Sequence, residues 1–491
     1  MEDQSSPDIS DIGRKAGRGA VWSFLGTLVT RAGSFILGLV LARLLAPGDF
    51  GTYAVALAAM QFVMVVKDVG VQSAVVQWRG RLEDIVPTAT TLTMISAVAL
   101  YAVFWLGAPL FATLAGSADA APVVRILTAV ILVEAITAVR SAALLRWFRT
   151  GANAKAILAG FLVNAPVAIV LAATGQGAFS FAWGQLAGAV VTGGFMLHYA
   201  RLPYRFGFDR AIAARLLRFG IPSAAGIALE ISLLNVGYII VGNIMGNVWL
   251  GFYLMAFNVS SWVPGIIGSA IRMVSIAGFS RLAERDGESL SLGVQKSVPL
   301  LISMVLPLAV FMGVLAHPLI IFIYGEEWEL AAGVLRFLAV LMVVRMLTSF
   351  ALDILNGQGA TRSTVWMNLG HAAAMVPAVI VGTNLDGIRG AAIGQAAAAV
   401  LVALPLAMLA VHRAGVRLGP VLPALGRPAI GALLSAAVAL GLSTLTHSIP
   451  FVQLVVAGGG GLLAYALVVV TRDQFIFVSD RLGRLLPARA R

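Results

Sequence analysis

The heptapeptide FGTYAVA at residues 50–56 returns two hundred residues later as LGFYLMA at residues 250–256, with Gly51, Tyr53 and Ala56 answered by Gly251, Tyr253 and Ala256. Alone the match is weak, and its weight comes from the matches around it. VRIL at 124–127 is answered by LRFL at 335–338, and APVAIV at 165–170 by VPAVIV at 376–381, both at an offset of 211, so that Pro166 meets Pro377. Pro109 and Leu110 meet Pro318 and Leu319 at an offset of 209, while Ala182, Gly184 and Gln185 meet Ala392, Gly394 and Gln395 at 210. Matches that keep their order while the offset drifts slowly read as an internal duplication.

The duplicated unit is made of apolar runs. Of 491 residues, 59% are apolar and 11% charged, and the mean hydropathy is +0.93. A soluble domain carries roughly a quarter charged residues, so this composition excludes a soluble enzyme and points to an all-α polytopic membrane protein. Fourteen apolar stretches are long enough to cross a bilayer: 20–42, 51–73, 88–110, 123–145, 154–174, 179–200, 219–241, 250–273, 297–316, 332–355, 364–383, 388–411, 425–446 and 451–471. With the amino terminus in the cytoplasm, 25 of the 34 Lys and Arg residues fall in or beside cytoplasmic loops, which places both termini inside and requires an even number of spans. The net charge of +12 is then a property of those loops, and no nucleic-acid partner is expected.

Six spans separate the two copies, so both enter the membrane in the same direction, as halves related by a pseudo-two-fold axis along the membrane normal and rocking around a site at their interface. The expected division is an N-lobe at 1–200, a linker at 201–218, a C-lobe at 219–411, an appendage of two spans at 412–471 and a basic tail at 472–491. Within the linker and tail, 206–219 and 473–486 mix apolar and basic residues as interfacial helices do. The polar opening MEDQSSPDIS, with no small-residue cleavage site after the first apolar run, suggests no removable signal peptide.

Four ionisable residues fall near the centres of spans: Arg31, Glu134, Glu230 and Arg345. Each costs about 2.5 to 3.5 kcal/mol at the centre of the bilayer if it faces lipid, so they are expected to face one another or water. Glu134 and Arg345 are equivalent in the repeat, and Arg31 maps within one residue of Glu230, so equivalent depths carry opposite charges. Either an anionic substrate displaces such ion pairs or they hold the bundle together. Lys67, Asp68, Arg140, Arg272 and Asp353 lie nearer the cytoplasmic ends, where long side chains snorkel; Arg140 stays among the cavity candidates, and Asp353, with Glu134 and Glu230, among the coupling or ion-pair candidates. Intramembrane amides such as Asn235 and Gln185 read as interhelical hydrogen-bonding groups.

Much chemistry is missing. The chain has no Cys, no lysine follows the glycine of a phosphate-binding loop, and the five histidines show no metal-ligand spacing, so neither a metal nor another cofactor is expected. Only His371 lies well inside a span, as a core histidine would. A membrane glycosyltransferase normally needs a sizeable outer loop, and the longest one here, 316–331, is short, so catalysis is unsupported rather than excluded; its Glu326, Glu327 and Glu329 read as a solvated rim.

LARLLAPGDFGTYAVALA and KDVGVQSAVVQ within residues 19–77, with LLRFGIPSAAG at 216–226, resemble the polysaccharide-transporter branch of the multidrug, oligosaccharidyl-lipid and polysaccharide exporter superfamily. The resemblance extends over the whole chain through the span count and the repeat. It implies two six-helix lobes around a central cavity with two extra helices, and a flippase for undecaprenyl-pyrophosphate-linked oligosaccharides in the bacterial cytoplasmic membrane, serving lipopolysaccharide or exopolysaccharide biosynthesis. Implied partners are the lipid-linked substrate, membrane lipids, and a polysaccharide polymerase or export machinery. It further implies a cationic cavity for the pyrophosphate, which Arg31 and Arg272 could line, with Arg345 as a further candidate. A multidrug cation antiporter of the same fold, and a membrane-embedded glycan polymerase or ligase, are the alternatives.

Overall fold

The computed structural model describes residues 9–67, 75, 78, 82–147, 149–200, 202, 205–265, 287–358, 361–446 and 449–469. Among them there is no strand. In hydrocarbon a backbone must satisfy its own hydrogen bonds, and a helix does so within one segment. Eight described helices are long and apolar enough to cross a membrane. Their outer surfaces carry side chains that water would reject: Leu106 is 79% exposed, Leu385 80% and Leu467 84%. The protein is a multi-pass membrane protein.

The chain divides into two units, Met1–Leu254 and Met255–Arg491. The first contains α1 (Ile9–Leu44), α2 (Pro47–Lys67), α3 (Leu82–Leu114), α4 (Ala121–Thr128), α5 (Val130–Arg146), α6 (Thr150–Ala173), α7 (Phe179–Tyr199) and α8 (Arg210–Met245), and α9 (247–265) runs across the boundary. Within the first unit α8 lies against α2 and α3. Residues 205–209 are non-helical, Asp209 caps the helix by accepting from the Ala211 and Ile212 amides, and the helix then continues unbroken to Met245. The linker is held on the first turns of α3, where the Gly207 and Asp209 amides donate to the hydroxyls of Thr91 and Thr88. The second proposed interfacial segment, 473–486, lies outside the described residues.

In the second unit, α10 (Gly287–Val314) is followed by α11 (Ala316–Tyr324), a 3-10 turn (Glu326–Trp328) and α12 (Glu329–Gly357). The stretch read as an outer loop is therefore helical. Leu319, Ile320, Tyr324 and Trp328 are buried, while Glu326, Glu327 and Glu329 remain exposed as the expected rim. Next comes α13 (Thr361–Ala398), which is two arms of a hairpin: Asp386 and Gly387 leave helical geometry, Gly387 with φ +54°. The arms approach so closely that a Cβ at Gly382 would strike the Gly390 carbonyl, and one at Gly394 the Ala378 carbonyl. A π-turn leads into α14 (Leu404–Arg413), and α15 (Val421–Ala424), α16 (Gly426–Leu445), α17 (Pro450–Gln453) and α18 (Gly459–Val469) complete the described chain.

Repeat-equivalent positions share backbone features within their own units. Gly116 (φ +82°) precedes the 3-10 turn Ala118–Ala120, and Gly325 (φ +102°) precedes the 3-10 turn Glu326–Trp328. Gly177 (φ +52°) and Gly387 (φ +54°) match at the offset of 210.

Candidate functional site

In the first unit the described candidates Arg31, Glu134 and Arg140 lie in three different settings. Arg31 is exposed on α1. The helix turns another face to α6, where Gly26 meets Ala154 and Gly33 leaves room for the Phe161 ring. Glu134 is paired with Lys67: the ammonium on α2 donates to Glu134 Oε2 on α5 at 2.5 Å. Arg140, 2% exposed, donates to the carbonyl oxygens of Ile136 and Leu202, both at 3.2 Å, so its guanidinium joins α5 to the start of the linker.

Hydropathy alone groups Lys67 with the snorkelling residues and does not mark it as the partner of Glu134. The amides behave as hydrogen-bonding groups between helices: Asn235 Nδ2 donates to Gln61 Oε1 at 3.1 Å, and Gln185 Nε2 to the Tyr53 hydroxyl at 2.6 Å. Tyr53 also stacks on Phe181, centroids 4.1 Å apart.

In the second unit Arg345 lies on α12, half-buried, with its guanidinium 5.2 Å from the Phe257 ring centroid. That contact shields one face of the cation at little electrostatic cost. Its charge reaches His371 on α13, whose Nε2 is buried and has no hydrogen-bond partner among the described residues. Asp353, eight residues after Arg345 on the same helix, is buried. The Glu230 side chain and the whole of Arg272 lie outside the described residues. No group of three His, Asp or Glu suited to a metal occurs among the described residues. Among the described residues the arrangement offers cations on apolar helices.

Residues 40–333 match the family described as polysaccharide biosynthesis protein. The chain belongs to this family. The succinoglycan biosynthesis transport protein ExoT of Rhizobium meliloti (strain 1021) is 27% identical over 374 residues, 75% of this chain and 74% of that protein. The lipopolysaccharide biosynthesis protein WzxC of Escherichia coli (strain K12) is 24% identical over 382 residues, 77% of each. Among solved structures, the lipid II flippase MurJ in an inward closed conformation aligns with a TM-score of 0.74 at 14% identity, over 94% of this chain and all of that one. An inward-facing multidrug resistance transporter of the MATE family aligns with a TM-score of 0.63 at 17% identity, over 79% of this chain and 98% of that one. These two likenesses concern the fold. The resemblance read from residues 19–77 and 216–226 is borne out at the level of the family, whose description is polysaccharide biosynthesis protein, and the relatives here carry the names of transport and biosynthesis proteins.

Proposed function

We propose that this protein is a flippase that moves undecaprenyl-pyrophosphate-linked oligosaccharide repeat units across the bacterial cytoplasmic membrane for cell-surface polysaccharide biosynthesis. The observation that carries the reading is family membership over residues 40–333, and basic side chains set among apolar helices suit an anionic cargo. Arg31, Arg272 and Arg345 bind the pyrophosphate or acidic sugars through charge-assisted hydrogen bonds. Arg140 is the weakest of the four candidates, since it already donates to the Leu202 carbonyl. Glu134, Glu230 and Asp353 are the coupling or ion-pair candidates.

The architecture proposed with it has fourteen spans, cytoplasmic termini, lobes at 1–200 and 219–411, and alternating access. The shared 3-10 turns after Gly116 and Gly325, and the glycine bends at 177 and 387, support the duplication. The hairpin of α13 supports two spans there, because its long apolar stretch, Ser363–Arg413, turns back on itself at Asp386 and Gly387. Polymerase or export machinery would act on the glycan after its release.

The test is reconstitution in liposomes with labelled undecaprenyl-pyrophosphate oligosaccharide, comparing the native protein with Arg31→Ala and Arg345→Ala. Leaflet exchange by the native protein that falls at least tenfold in either folded variant is the expected result. No exchange, alongside proton-driven efflux of cationic dyes, would replace this reading with the antiporter that the MATE-like fold also accommodates.

A further inference from the structure

The loop that joins α14 to α15 is fixed at both its ends and its middle. Gly415, with φ +89°, turns the chain back after the helix, and the Gly415 and Val416 amides donate to the His412 and Val411 carbonyls. Side chains from α10 and from the end of α12 then hold the loop backbone. Gln358 Nε2 donates to the Ala414 carbonyl at 3.1 Å, Gln295 Nε2 donates to the Arg417 carbonyl at 2.9 Å, and the Arg417 amide donates to Ser291 Oγ at 3.2 Å. The backbone of Arg417 is thus committed on both sides of its Cα, while its side chain is exposed and its guanidinium makes no ion pair or hydrogen bond among the described residues. Between Asp386 and Asp473 the chain carries no Asp or Glu at all. Glu288 and Asp353, the acids of α10 and α12 closest in sequence to these contacts, do not pair with Arg417.

Arg417 lines a groove of about 710 Å³. One wall is a single face of α14, on which Pro405, Met408, Leu409 and His412 follow one another at helical spacing; the other is the loop itself. Met408 is 40% exposed and Leu409 43%. An apolar groove of this kind does not hold water. The apolar stretches Ser363–Arg413 and Val421–Leu445 both end at this loop, which places it at a membrane surface. Met408 and Leu409 lie four and five residues inside the end of α14, about 6 to 8 Å along its axis, at the depth where acyl chains begin beneath the headgroups. Along that axis the groove passes from apolar at 405–409 to basic at 412–417.

We infer that this groove binds an anionic phospholipid of the surrounding bilayer, with an acyl chain against Met408 and Leu409 and the phosphate on Arg417, to which the His412 ring adds a second polar group. Basic pockets beside membrane helices take lipid headgroups in this way. A soluble anion gains nothing from the apolar wall, and a zwitterionic lipid brings its own cation beside the phosphate; only the anionic lipid matches both parts of the groove. The fixed backbone helps, because a residue already ordered loses less freedom on binding. The inference does not depend on the flippase reading, since it concerns a lipid of the bilayer and not the cargo. Because the loop ties α10, α12 and α14 together, a lipid seated there stabilises the second unit by mass action.

The experiment titrates the full chain in detergent with dioleoyl phosphatidylglycerol, or with dioleoyl phosphatidylcholine as its zwitterionic counterpart, and counts retained lipids by native mass spectrometry. The native protein is expected to retain one phosphatidylglycerol about tenfold more tightly than phosphatidylcholine, the equivalent of one charge-assisted hydrogen bond. Arg417→Gln, which spares the backbone contacts, should remove that preference, and Arg417→Lys should keep most of it. Arg336→Gln should leave it unchanged, being an exposed arginine of α12 about 30 Å along the helix from Gln358. Leu409→Trp fills the groove and should weaken retention of both lipids about threefold or more, with Met408→Trp as the second variant on the same wall. No preference in the native protein, or equal losses in Arg417→Gln and Arg336→Gln, would mean diffuse attraction to a basic protein and overturn the inference. Unchanged retention in folded Leu409→Trp and Met408→Trp would put the chain elsewhere and overturn it too. Displacement of phosphatidylglycerol by an equal amount of undecaprenyl phosphate would give the groove to the polyprenyl carrier instead, with the same consequence.

Discussion

Arg140 and Arg31 carry the same side chain into opposite settings, and their substitutions should separate stability from transport. At 140 the guanidinium is buried and reaches the Ile136 and Leu202 carbonyls with different nitrogens, a fork that a single ammonium cannot reproduce. Arg140→Lys should therefore destabilise the protein by about 2 kcal/mol, since a buried acceptor loses its donor. At 31 the side chain is exposed, and Arg31→Ala should change stability by no more than about 0.5 kcal/mol, while reducing flipping. Thermal unfolding in detergent beside the liposome assay checks both; equal losses of Tm would contradict the division. That Arg31 and Arg140 are ionisable groups within apolar stretches is legible in the sequence. That Arg140 meets a carbonyl 62 positions away is not, because hydropathy fixes depth along a helix and carries no record of which loop folds back beneath it. The same blindness hides the partner of Glu134: a pair formed between α2 and α5 depends on helix rotation, which a wholly apolar stretch leaves unmarked.

At the scale of elements the glycines are more informative than the charges. The glycines that reveal the repeat, Gly51 and Gly251, lie at a crossing of α2 with the start of α9: a Cβ at Gly51 would collide with the Asn247 carbonyl, and one at Gly251 with the Pro47 carbonyl. Backbone cannot yield as a side chain can, so Gly51→Ala and Gly251→Ala should each destabilise by about 1 to 3 kcal/mol through overpacking. Gly38→Ala is the control. Nothing lies within 4 Å of the position its methyl group would take, and the substitution should be neutral or stabilising by up to about 1 kcal/mol, as Ala is the better helix former. Unfolding midpoints of the three variants decide it. Elements of span length are legible from the sequence: the break between predicted spans at 364–383 and 388–411 falls where the backbone turns at Asp386 and Gly387. Shorter elements are not. AHPLIIFIY folds as the nine-residue α11, too short to cross a bilayer, and a reading that seeks runs of about 20 residues leaves it as loop.

For the whole molecule, the distribution of basic residues makes a statement about sidedness that can be tested in intact cells. The basic tail at 472–491 and the cluster around Arg210, Arg215 and Arg218 belong to the same side if the spans alternate as proposed, and the short stretch between the predicted spans 425–446 and 451–471 belongs to the other. The chain contains no cysteine, so a single introduced thiol reports its own location without background. Ser448→Cys should react with a membrane-impermeant maleimide added to intact spheroplasts, because it joins two apolar stretches on the outer side. Ser479→Cys should react only after permeabilisation. Reversal of both would invert the topology, turn the basic loops outward and remove the entry of substrate from the cytoplasmic leaflet; labelling of both in intact spheroplasts would leave no net crossing between them and overturn the last span. The expected pattern instead puts one crossing between residues 448 and 479, which the apolar helices of Pro450–Val469 are long enough to supply.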